Sequence, residues 1–336
     1  MIQDDAITVP HAPAIPGLIC RRFRGEGDYP AMVALLNACA EADGLDYANS
    51  VGDLRLLFAH LVRCDPYRDM LFAEVDGRVI AYGRVWWKEE STGERIYPFH
   101  GFVHPAWRRR GLGEAMLRYN ECRLREIARE HRPGGKSFQV WASDRETGAH
   151  ALFLGAGYRP ARYMIEMARR TDVPLREAPL PAGLEVRPVQ PDQIRIIWEA
   201  REEAYRDHWG YVPATEEDYS RWMASPLFYP GLWKVAWEGN QVAGMVLNRI
   251  DQAENAKNRR KRGYTQNVFV LRPWRRRGLA RALLTQSIQM FGDLGMEETA
   301  LGVDTQNPSG ALRLYESVGY REVRRNTFYR KATEEE

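Results

Sequence analysis

Val103-His104-Pro105-Ala106-Trp107-Arg108-Arg109-Arg110-Gly111-Leu112-Gly113 recurs, with its proline moved by one place, as Val270-Leu271-Arg272-Pro273-Trp274-Arg275-Arg276-Arg277-Gly278-Leu279-Ala280. Downstream of each copy a second landmark repeats: Leu152-Phe153-Leu154-Gly155-Ala156-Gly157-Tyr158 is answered by Leu314-Tyr315-Glu316-Ser317-Val318-Gly319-Tyr320. Two landmarks at nearly constant separation, with a period far longer than that of a solenoid, predict two homologous domains in tandem. A chain of 336 residues has room for two hydrophobic cores.

Outward from the repeated stretch, the halves read alike. An apolar strand ends at Val103 or Val270. A helix follows, marked by Leu112, Ala115, Met116, Tyr119 and Ile127 in the first half and by Leu279, Ala282, Leu283, Met290 and Leu294 in the second. Hairpin turns are expected at Asp76-Gly77 and at Glu238-Gly239-Asn240. Opening strands are expected at 18–24 and 184–188, late strands at 138–142 and 299–303, each followed by a short helix and a final β pair. The expected fold class is α+β, with a mixed, mostly antiparallel sheet flanked by helices in each domain. Residues 18–170 and 184–336 form the domains, the Pro-rich 171–183 stretch reads as a linker, and residues 1–17 as an extended arm.

Basic and acidic residues nearly balance, 48 against 45, and neither half is a polycation, so a nucleic-acid partner is not expected. No apolar run is long enough to span a bilayer and the acidic first five residues lack signal-peptide character, so a cytoplasmic protein without a membrane partner is expected. Cys20, Cys39, Cys64 and Cys122 have no metal-ligand spacing and read as buried, reduced thiols, with no metal site. Arg259-Arg260-Lys261-Arg262 reads as a solvated hairpin tip.

The chemistry lies in the strand, Arg/Gly loop and helix. Small residues let a ligand approach the backbone, and the N–H groups of a helix start point one way, a geometry suited to a pyrophosphate. The flanking arginines add charged donors. No Gly-Lys-Ser/Thr follows, which excludes a P-loop, and the third glycine of a dinucleotide fingerprint is missing. The loops, their helices and the Asn-x-x-Ala-x-x-Leu-Tyr-x-x-x-Gly-Tyr segment from Asn307 together resemble the GNAT-type N-acetyltransferase superfamily, in a tandem layout similar to that of mycothiol synthases. The resemblance implies acetyl-CoA as cosubstrate. It assigns the pyrophosphate to Arg275, Arg276, Arg277, Gly278, Leu279, Ala280 and Arg281, with Asn307 nearby, and in the first half to Arg108, Arg109, Arg110, Gly111, Leu112 and Gly113. The pantetheine arm falls to the strands at Phe102-Val103 and Val268-Phe269-Val270.

The same resemblance separates the halves. Tyr315 stands where a general acid for the departing thiolate is expected, whereas the first half offers Phe153 there and no counterpart of Asn307. Catalysis is therefore expected in the C-terminal domain. Family bases often sit as Glu on the strand before the loop, yet residues 263–270 hold no carboxylate, leaving a water relay through Tyr264 or Gln266, or Asp304 or His208. Tyr205, His208, Trp209 and Tyr211 form an aromatic loop expected over the acceptor cleft. The reading is an N-acetyltransferase that moves an acetyl group to a primary amine, small molecule or peptide, by direct attack in a ternary complex. The alternative is a non-catalytic acyl-CoA-binding sensor or scaffold, favoured by the missing carboxylate.

Overall fold

The computed structural model describes residues 6–334 apart from 48, 133, 207 and 308. The chain divides into two compact units: Met1–Ala161 with Thr327–Glu336, and Arg162–Asn326. The first contains β1 (Ile19–Arg21), α1 (Tyr29–Ala42), α2 (Val51–Ala59), α3 (Pro66–Asp69), β2 (Met70–Val75), β3 (Arg78–Val85), β4 (Lys88–Glu89), β5 (Arg95–Val103), α4 (Leu112–Arg129), β6 (Lys136–Ser143) and α5 (Thr147–Gly155). β7 (Arg159–Arg170) leads into the second, with β8 (Glu185–Val186), α6 (Ile194–Tyr205), α7 (Glu216–Met223), β9 (Lys234–Glu238), β10 (Gln241–Arg249), α8 (Gln252–Asn258), β11 (Arg262–Val270), α9 (Leu279–Asp293), β12 (Glu298–Asp304) and α10 (Ala311–Ser317). β13 (Arg321–Ala332) returns to the first unit at residue 327.

This division differs from the boundaries drawn on composition. Residues 171–183 are part of the second unit: Thr171 bonds the carbonyls of Glu297 and Met296, and Leu175 and Leu180 pack on its core. The arm is likewise docked, since Ile7 N–H bonds the Cys20 carbonyl and Val9 is buried with Leu112 and Met116. The opening strands are shorter than expected. Both hairpins form, the first through left-handed Asp76 and Gly77, whose φ values of 49° and 73° suit a two-residue turn.

Among the strand pairs whose register is described, each unit has one parallel pair and the rest are antiparallel. β5 and β6 run parallel, in register only over Arg95–Pro98 and Lys136–Gln139. β11 and β12 run parallel only over Arg262–Tyr264 and Glu298–Ala300. Beyond these short ladders the strands part, and the Arg/Gly loop and its helix lie past the open end. In the second unit α9 buries Leu279, Leu283, Leu284 and Ile288 against Leu301 and Val303 on one face. On the other face, α6 buries Ile194 and Ile197 with Trp237 and Met245. Full burial of each such aliphatic side chain contributes about 1.5–3 kcal/mol.

Two further expectations are corrected. Cys20 and Cys39 are buried, but Cys64 is half-buried and Cys122 exposed; all four are free. The basic run at 259–262 is no solvated tip: it follows α8, Arg260 pairs with Glu254, and buried Arg262 pairs with Glu166 and Glu298, each at 2.7 Å. Burying so many arginine stems satisfies carboxylates that would otherwise be stranded in the sheet. Among the described residues no helix is long and apolar enough to cross a membrane.

Candidate active site

The two loops adopt one conformation. Arg109 and Arg276 take φ of 64° and 62°, and Gly111 and Gly278 both take 84°. Each glycine caps its helix without a side-chain bond, and the helical ladder starts with Ala115 N–H to Gly111 O and Ala282 N–H to Gly278 O. The N–H groups of residues 112–114 and 279–281 precede that ladder and are left to a ligand, forming an anion-binding nest at the positive end of a helix. The first arginine of each loop is a clamp. Arg108 Nε donates to the Val103 carbonyl at 3.1 Å and Arg275 Nε to the Val270 carbonyl at 2.9 Å. Arg108 also forms a fork with Asp43, at 2.6 and 2.8 Å. Arg109, Arg110, Arg276 and Arg277 are exposed, whereas Leu112 and Leu279 are buried and offer only backbone.

The surroundings of the nests differ. A Cβ on Gly111 would lie 3.6 Å from Pro13 of the docked arm, while nothing lies within 4 Å of a Cβ on Gly278. The nest of the second unit is open.

Above that nest, Leu271 N–H bonds the Ala243 carbonyl on β10. Alternation along the strand turns the backbone groups of Phe269 the same way and those of Val268 and Val270 toward the gap with β12. Phe269 is thus structural, its ring buried with Trp233 and Val235. The equivalent bond from His104 to Ile80 turns Phe102 toward β3 and Val103 into the first unit's gap. A bulge interrupts β11 between Thr265 and Val268. It presents Asn267, which donates to the Tyr205 hydroxyl at 2.6 Å. The His208 ring lies 4.4 Å from that of Tyr205, and Arg162 sits over Trp209 at 5.4 Å. Tyr211 reaches Glu202 at 3.5 Å.

Tyr315 is buried on α10, edge-on to Tyr320 with ring centroids 6.3 Å apart. Burial pushes its phenol well above the ordinary range, and the Tyr205 and Tyr320 phenols push it further. Burial also raises Tyr205, partly offset by the Asn267 bond. Phe153 repeats the packing of Tyr315 without its hydroxyl, 6.1 Å from Tyr158. Asn307 Oδ1 accepts the Ser309 N–H at 2.9 Å and so shapes the turn into α10.

Of the base candidates, Asp304 is held by Arg162 at 2.7 Å and Gln266 is exposed. Tyr264 donates to Glu254, and burial together with that bond lifts its phenol to about 12. Glu254 went unrecognised in the sequence because it arrives from α8, outside the strand pattern. Asn267 was legible only as a polar break in an apolar strand. Among the described residues no cluster suited to a metal is found.

Two splayed-strand units, each with an arginine–glycine nest at a helix start, define a tandem acyltransferase architecture. The GNAT acetyltransferase family model matches residues 194–320, and a GNAT acetyltransferase domain model matches 66–160. A mycothiol acetyltransferase of Thermobispora bispora is 30% identical over 91% of this chain and 96% of its own length. One of Kineococcus radiotolerans is 29% identical over 92% and 93%. The solved GCN5-related N-acetyltransferase of Sphaerobacter thermophilus is similar at a TM-score of 0.72 and 27% identity, covering 96% of this chain and 97% of that one. A tandem GNAT protein of the clavulanic acid biosynthesis pathway shares the fold at 0.65 and 14% identity, over 95% and 99%. The chain belongs to the GNAT family of N-acetyltransferases, in its tandem two-domain form.

Proposed function

We propose that the chain transfers the acetyl group of acetyl-CoA to a primary amine, with the chemistry confined to the second unit. The observation that carries this reading is the uncovered Gly278 nest below a strand edge whose Val268 and Val270 groups face the gap. The pyrophosphate rests on the nest and the pantetheine arm pairs with that edge. The neutral amine attacks the thioester carbon, and the Val270 N–H stabilises the oxyanion that develops. Collapse of the tetrahedral intermediate breaks the C–S bond, and Tyr315 gives its proton to the departing thiolate; its raised phenol keeps that proton available. The amine's proton leaves through water beside Tyr205 and His208, whose rings lie 4.4 Å apart.

The relatives named mycothiol acetyltransferase make a mycothiol-related amine the first acceptor to try. The test is a panel of primary amines, that one included, incubated with acetyl-CoA and read by product mass. Acetylation of one or more members is expected. An unmodified panel contradicts the reading and returns the chain to the sensor alternative.

A further inference from the structure

A second recess opens in the second unit between the first turns of α9, the C-terminal end of α10 and residues 173–176. It holds about 200 Å³ and is lined by Arg169, Arg176, Arg281, Arg321, Thr285 and Glu316, with apolar and backbone groups between them. Four guanidinium groups face one carboxylate, and among the described residues none of the four is ion-paired. Arg169 donates to the Val173 carbonyl at 2.7 Å and Arg281 to the Ser317 hydroxyl at 2.8 Å. Arg321 donates to the carbonyls of Glu316 and Tyr320, at 3.3 and 2.8 Å. Arg169 is only 5% exposed, and its Nε and Nη1 have no partner. The buried Thr285 hydroxyl in the same wall has none either. Buried donors without acceptors, one of them carrying a charge, are costly unless a ligand completes them. All of these can donate, so the completing ligand is rich in acceptors and negatively charged.

We propose that this recess binds a phosphate monoester. Planar guanidinium groups from β7, residues 173–176, α9 and β13 match a tetrahedral dianion with several acceptor oxygens, which a lone carboxylate would satisfy only in part. The volume admits the phosphate and leaves the rest of its ligand outside. The recess adjoins the nest at Gly278 through Arg281, whose backbone N–H faces the nest while its side chain lines the recess; the other donors are side chains outside the nest, and one wall is the segment that joins the repeated halves. The aligned helix of the first unit lacks these donors. With Gly111 aligned on Gly278, Glu114 and Arg118 replace Arg281 and Thr285, and they bond each other at 2.5 Å. The phosphate can come from a free phosphate ester or from the 3′-phosphate of the cosubstrate.

The experiment is calorimetric titration of the full chain with inorganic phosphate, then with CoA and 3′-dephospho-CoA. Saturable phosphate binding is expected, weakened about tenfold or more by Arg176→Ala with Arg321→Ala, both exposed positions. Gly278→Glu is expected to leave phosphate binding intact, which separates this site from acetyl-CoA binding. Arg169→Met is expected to abolish phosphate binding while melting at or above the wild-type temperature in phosphate-free buffer, because it removes an uncompensated buried charge. If the double variant weakens CoA but not 3′-dephospho-CoA, the cosubstrate supplies the phosphate; if it weakens neither while still losing inorganic phosphate, a free ester does. Absence of phosphate binding to the wild type, or unchanged affinity in the double variant, overturns the proposal.

Discussion

At the scale of single residues, the proposed mechanism rests on Tyr315 and Tyr205, and burial raises both phenols. A phenol raised above about 10 keeps its proton through neutral and mildly alkaline pH, and the donating form is the protonated one. kcat is therefore expected to show no alkaline fall below about pH 10, checked by rate profiles from pH 6 to 10; a decline near pH 8 assigns the proton to another group. Tyr315→Phe removes only the hydroxyl from a packed ring. It should lower kcat by about 10²–10⁴-fold with little change in the acetyl-CoA KM, measured by steady-state kinetics. Asn267→Ala frees the Tyr205 hydroxyl from its 2.6 Å bond. The expected result is an acceptor KM raised about tenfold at unchanged acetyl-CoA KM. That a buried aromatic stands at 315 was readable from its Leu-Tyr-x-x-x-Gly-Tyr context. The Tyr205–Asn267 bond was not, because a bulge decides which strand residue meets α6.

Loops and helix starts explain why one nest is open and its twin is not. Both hold the same left-handed pair of residues, so the backbone alone cannot distinguish them. The distinction comes from Pro13 against Gly111. One acetyl-CoA per chain is accordingly expected by calorimetry; a stoichiometry of two would show that the arm yields to ligand. Turn chemistry was legible where it is local, as at Asp76-Gly77. Elements that depend on distant partners were less so: α8 hides in a polar stretch, and the two-residue β8 gains its place only by pairing with β9.

For the whole molecule, duplication was plain from the repeated motif, but the route of the chain through it was not. Period-two patterning marks 159–170 and 321–332 as strands without saying which unit each completes. The last residues belong to the first unit, where Arg330 pairs with Glu90 and Glu94 and Lys331 with Glu121, at 2.6 to 3.0 Å. Both acidic partners at 90 and 121 are buried. Deleting residues 327–336 is thus expected to unfold the first unit rather than trim a tail, seen as loss of its thermal transition. The most direct test of the account is the initial rate of acetyl transfer by two folded variants in one assay. Gly111→Glu should retain the wild-type rate, and Gly278→Glu combined with Tyr315→Phe should show none above background. Turnover in the second variant, or its loss in the first, would contradict the assignment of catalysis to the C-terminal unit.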